Sequence, residues 1–116
     1  MSIDEAGRLV WVRELLEASR PLPDLARDLA SVPWDFEGAG LKLEAVHVRN
    51  ILRRYLEGDL SAEQVETWAN LVEGRDDVVC EGAPSGVVEA LHELANPLLS
   101  RPLTSLSARA LLLQLG

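Results

Sequence analysis

The sequence predicts an all-α protein, a compact bundle of five to six helices around a central antiparallel αα-hairpin at about residues 43–73. Three observations carry this reading. Apolar residues recur at three- and four-residue spacing from end to end. Helix-start residues and Gly or Pro stops punctuate the chain at helical intervals. Alternating runs of β-branched and aromatic residues, the mark of a half-buried strand, are missing. The 116 residues suit a single domain, 1–116, and no low-complexity tract or linker divides them.

The first helix is expected over about 3–19. Ser2 and Glu5 stand at capping-box spacing, and Leu9, Val12 and Leu16 form its stripe. Arg20-Pro21 ends it, because a residue before proline avoids the α region. A short second helix follows near 23–31, with Pro23 at its start and Asp24 facing the positive end of the dipole. Val32 to Gly40 is the longest irregular stretch.

The third helix is expected over about 43–57. Leu41, Ala45, Val48, Leu52, Tyr55 and Leu56 share one stripe, flanked by His47, Arg49, Asn50, Arg53 and Arg54. Gly58 offers a left-handed stop. Ser61 caps the fourth helix with Gln64 at the reciprocal position, and Leu60 with Val65 forms a hydrophobic staple. Val65, Trp68, Ala69 and Val72 face one way, and Gly74 closes this helix. So brief a turn between helices makes an αα-hairpin.

Val78-Val79-Cys80 is compatible with an extended segment. The fifth helix is expected near 84–95, with Val87, Val88, Leu91, Leu94 and Ala95 apolar, and Asn96-Pro97 stopping it. Thr104 or Ser105 caps a last helix through Leu115. Its Leu111, Leu112, Leu113 and Leu115 point several ways, so it is expected to be buried on more than one side, either centrally or in an oligomer contact.

Composition narrows the function classes. A content of 47% hydrophobic and 26% charged residues is globular, not disordered. The net charge of −8 repels phosphate backbones, and DNA binding draws its non-specific affinity from cations. The hairpin's second helix carries Glu63, Glu66 and Glu73 without Lys or Arg, the wrong sign for a helix that reads a groove. No nucleic-acid partner is expected. The longest apolar runs, Leu9–Val12 and Ala110–Leu113, are four residues each, far short of the ~20 a membrane helix needs. The acidic residues near the start leave no signal-peptide apolar region, and one cysteine forms no internal disulfide. A cytoplasmic protein without a membrane partner is expected.

The segment YLEGDLSAEQVETWANLVEGRDDV, residues 55–78, and the segment LHELANPLLSRPLT, residues 91–104, resemble blocks of a small all-helical bacterial family. The family is largely uncharacterised, and some members are suspected immunity or partner proteins. The resemblance spans the central and C-terminal two-thirds of the chain. It implies a helical fold and transfers no catalytic residue.

No constellation points to chemistry. Cys80 follows Val78 and Val79, an apolar setting that blunts a thiol, and reads as a small buried hydrophobe. His92, three residues after Glu89, reads as a surface ion pair, and His47 as a solvated residue on the polar side of its helix. Asp76 and Asp77 read as capping groups or partners of Arg75, and neither they with Glu81 nor Asp35 with Glu37 matches a calcium loop. No phosphate loop, nucleophile elbow or dinucleotide fingerprint occurs. The expectation is a protein with no catalytic, cofactor or metal site.

Trp68 belongs to the core stripe, whereas Trp11 falls off the stripe of its helix. Trp34 and Phe36 lie in the Gly-flanked loop, which either plugs the end of the bundle or anchors a partner. Trp11, Trp34 and Phe36 are the candidate partner-binding residues. The expected function is a non-catalytic protein–protein interaction module, among such roles an immunity- or antitoxin-like protein that binds a basic partner. The alternative is a small regulatory or structural homo-oligomer, a homodimer for example, formed through the Leu-rich last helix.

Overall fold

The computed structural model describes residues 5–31, 40–73, 75, 77–79, 86–98 and 102–115. Along these run α1 (Glu5–Glu17), α2 (Leu22–Leu29), β1 (Leu41–Lys42), α3 (Ala45–Leu56), α4 (Ala62–Val72), β2 (Val78–Val79), α5 (Val87–Ala95) and α6 (Ser105–Leu115). The all-α bundle is the fold, with one two-stranded sheet added to it. The helical hairpin is α3–α4, and its two helices take different main partners: α4 packs chiefly on α5, and α3 on α6. Helix α1 packs on α2.

Local signals set the hairpin. Gly58 takes φ 85°, the left-handed stop. Asp59 N–H and Leu60 N–H both donate to the Arg54 carbonyl, at 2.9 and 3.3 Å. Ser61 Oγ accepts from Gln64 N–H at 3.1 Å, and Gln64 Oε1 accepts from Ser61 N–H at 2.8 Å, a complete capping box. The same reciprocity starts α6, where Thr104 Oγ1 accepts from Ser107 N–H and Ser107 Oγ from Thr104 N–H.

One apolar cluster joins all six helices. Trp68 is its largest fully buried side chain, and it shares the core with Leu15, Leu16, Leu25, Ile51, Leu52, Leu91 and Leu111. The indole needs a partner for its buried N–H. It donates to the Leu15 carbonyl at 2.7 Å. The C-terminal carbonyls of α1 collect further donors from the hairpin: Arg54 Nη1 reaches the Ala18 carbonyl at 2.8 Å and Asn50 Nδ2 the Glu17 carbonyl at 3.4 Å. A helix end that would otherwise leave orphan acceptors is thereby fastened to α3 and α4.

Three expectations change. Leu41 does not continue the stripe of α3; Leu41–Lys42 pairs in parallel with Val78–Val79. Leu41 N–H donates to the Asp77 carbonyl and Leu43 N–H to that of Val79, each at 3.0 Å, and α3 begins only at Ala45, after a capping box between Glu44 and His47. The strand escapes a periodicity reading because each partner is two residues long. On α5, Val88 is exposed and Ala90 takes the buried position beside Val87, Leu91, Leu94 and Ala95. Helix α6 does not take a central place: within this chain it is buried through Ser107, Ala108 and Leu111, while Leu106 and Leu113 are 78% and 83% exposed. The Ser2 cap, the loop at 32–39 and the Gly74 stop lie outside the described residues.

The sheet requires glycine at residue 40. A Cβ there would stand 2.5 Å from the Asp77 carbonyl oxygen, which is backbone and cannot swing away. Gly40→Ala is expected to lower stability by about 2 kcal/mol, the order of an overpacked core site. Ser61→Ala, which removes only a cap, is expected to cost about 1 kcal/mol. Urea denaturation followed by tryptophan fluorescence measures both.

Candidate functional site

Two charged groups among the described residues bear on function, and they differ in what the charge does. The first is interior. Arg8 on α1 occupies a position four residues before Val12, so the helical repeat carries it inward with the apolar stripe. Its side chain meets Asp77, which is 0% exposed. Arg8 Nε donates to Asp77 Oδ2 at 2.8 Å. Arg75 Nε donates to Oδ1 at 2.9 Å and its Nη2 to Oδ2 at 3.0 Å. Burial by itself pushes the Asp77 carboxyl up; the hydrogen bonds and charges of Arg75 and Arg8 outweigh it and hold the carboxyl below its ordinary value. Asp77 also accepts from Leu41 N–H through its own carbonyl. The group ties α1, β1 and the approach to β2 together. Pairing of Asp77 with Arg75 was legible in the sequence; the partnership with Arg8, 69 residues away, was not. The available signal was an arginine on the apolar stripe of α1.

The second place is on the surface of the α4–α5 pair. Val65, Trp68, Ala69 and Val72 point inward, so Glu63 and Glu66 point to solvent. Glu73 follows at the end of α4, and α5 adds Glu89 and Glu93. Neither helix carries a Lys or Arg. Where the start of α4 meets the end of α5 there is a groove of about 150 Å³. Its floor is Leu94, Pro97, Pro102 and Leu103, and its rim carries Glu63, Glu66 and Glu93. That volume is below the ~300–1,000 Å³ of small-molecule pockets and of the scale of one large side chain.

The histidines are engaged separately. His47 is half-buried, not solvated: its Nδ1 accepts from Glu44 N–H at 3.0 Å, completing the cap of α3. Burial holds its pKa below the ordinary value against the opposing pull of Glu44 and Glu17. His92 pairs across helices with Glu73, Nδ1 to Oε2 at 3.1 Å, and not with Glu89 along its own helix. Among the described residues no three His, Cys, Asp or Glu side chains gather as a metal site. Among the described residues no helix is long and apolar enough to cross a membrane. Trp11 is half-buried and packs against the core. Trp34, Phe36, Asp35, Glu37, Asp76, Cys80 and Glu81 lie outside the described residues.

Asp77→Asn leaves two buried guanidinium groups facing a neutral amide, and is expected to cost about 3 kcal/mol in denaturation experiments. The pH dependence has a defined sign. A carboxyl depressed in the folded state contributes stability that is complete above its unfolded value, about 3.9, and is lost as pH falls through the folded value. The native protein is therefore expected to lose stability below about pH 4, and Asp77→Asn to lose less over the same interval.

Comparison with protein-family models, with curated proteins and with solved structures finds no match to this chain.

Proposed function

We propose that the chain is a non-catalytic binding module that takes a basic protein partner on its α4–α5 surface. The observation that carries this reading is the segregation of charge: five glutamates and no Lys or Arg on α4, its C-terminal cap and α5, in a chain of net charge −8. Such a surface speeds encounter with a cationic partner and disfavours anionic ones. The buried ion group performs a structural task, and the histidines serve a helix cap and an interhelical pair, which leaves recognition as the use of the surface. An immunity- or antitoxin-like role in the cytoplasm, blocking a basic toxin, is the form of this activity that the size and acidity of the chain suit best.

A second reading has its own observation. Leu106 and Leu113, seven residues apart on α6, are both exposed, the pattern of a helix face that meets a copy of itself.

Immobilised protein is expected to retain a basic protein from an extract of its source at low ionic strength and to release it as salt screens the contact. Glu66→Lys/Glu89→Lys is expected to abolish retention while leaving the far-UV circular dichroism unchanged. Retention that ignores both salt and the two substitutions contradicts the proposal. Sedimentation of the pure protein separates the second reading: a stable dimer dispersed by Leu113→Glu supports it.

A further inference from the structure

We infer that the groove between α4, α5 and the turn into α6 is the seat for an arginine side chain presented by the partner within an apolar segment. The inference rests on the proposed binding of a basic partner and names the chemistry of the piece that docks.

The floor of Leu94, Pro97, Pro102 and Leu103 matches the aliphatic stem of a long side chain and the flat face of a guanidinium. The rim supplies Glu63 and Glu66, three residues apart and so on one side of α4. Neither carboxylate pairs with a cation among the described residues. Two like charges at that spacing repel, and a guanidinium set between them removes the repulsion while donating to both. An ammonium is a compact, strongly hydrated charge with no planar face for the floor, which favours arginine over lysine. Exposed leucines stand next in sequence to two lining residues: Leu98, beside Pro97, is 100% exposed, and Leu106, beside Ser107, is 78% exposed. They offer contacts to apolar residues on either side of the arginine. Acidic rim, apolar floor and exposed leucines together select an arginine flanked by apolar side chains.

The probe is a short fluorescein-labelled peptide with one arginine between two leucines, titrated into the full chain and followed by anisotropy and by amide NMR shifts. Saturable binding is expected, with shifts centred on residues 63, 66, 94 and 103. Exchange of the arginine for citrulline, which keeps the shape and removes the charge, is expected to weaken binding about tenfold or more, and lysine is expected to bind more weakly than arginine. Glu63→Gln/Glu66→Gln is expected to weaken the arginine peptide by a similar factor and leave the citrulline peptide unaffected. Equal binding of the arginine and citrulline peptides, shifts on the outer face of α6 instead, or no binding at millimolar peptide overturns the inference. If the whole partner is still retained in a salt-sensitive way while the peptide fails, the groove is wrong and the binding proposal stands. If retention fails too, both fall.

Discussion

An ionised carboxylate removed from water is tolerated only where opposite charge and hydrogen-bond donors replace the lost solvent. Asp77 meets that condition through Arg75 on its own segment and Arg8 from α1. The constraint reaches further than one ion pair. With the side chain of Asp77 held by the two arginines, its carbonyl faces Leu41 N–H, and residue 40 has no room for a side chain. The parallel pairing of β1 with β2 and the approach to α3 follow from there. A two-residue ladder has little stability of its own. It persists here because α1 brings Arg8 to it and the hairpin, in turn, receives the end of α1 through Trp68, Asn50 and Arg54.

What the sequence made legible was local chemistry. Gly58, the Ser61–Gln64 box, Thr104 and the proline after Asn96 each act within a few residues, and each sits in the structure as its chemistry demands. Trp68 was legible because it lies on a stripe whose neighbours leave it no other direction. What escaped was non-local. Strand β1 is fixed by bonds to residues far along the chain, and its two residues are too few to show a period. Val88 follows Val87 directly and so turns about 100° away from it to the edge of the buried face, whereas Ala90, three residues on, returns to that face beside Leu94. The preference of His92 for Glu73 depends on how α4 and α5 pack, which no spacing within one helix reveals. The surface groove was likewise invisible, since its floor comes from α5, the turn after it and the approach to α6. Glu63 and Glu66, by contrast, were visible as the residues that argued against a groove-reading role for α4.

Charge is divided unevenly across the molecule. Arg20 bridges Glu14 and Asp28, Arg54 reaches Asp59 and the end of α1, and Arg8 and Arg75 serve Asp77. These cations stitch α1, α2 and the hairpin together. Helices α4 and α5 carry carboxylates and no arginine, and none of those carboxylates belongs to the pairs just named. The core-facing halves of those two helices are apolar and fully used, so their outer halves are free to carry one sign of charge without weakening the fold. The buried ion group and the proposed recognition surface thus draw on separate residues, and a partner can engage the acidic surface without disturbing the group that holds α1 to the sheet.

The most direct test is the titration of the Asp77 carboxyl itself, followed by its Cγ chemical shift in labelled protein as pH is lowered. The account predicts an inflection below the ordinary aspartate range, with unfolding accompanying protonation. An inflection at or above that range, in a protein that stays folded, would mean that the carboxylate is not held between Arg8 and Arg75 and that the fold is secured some other way.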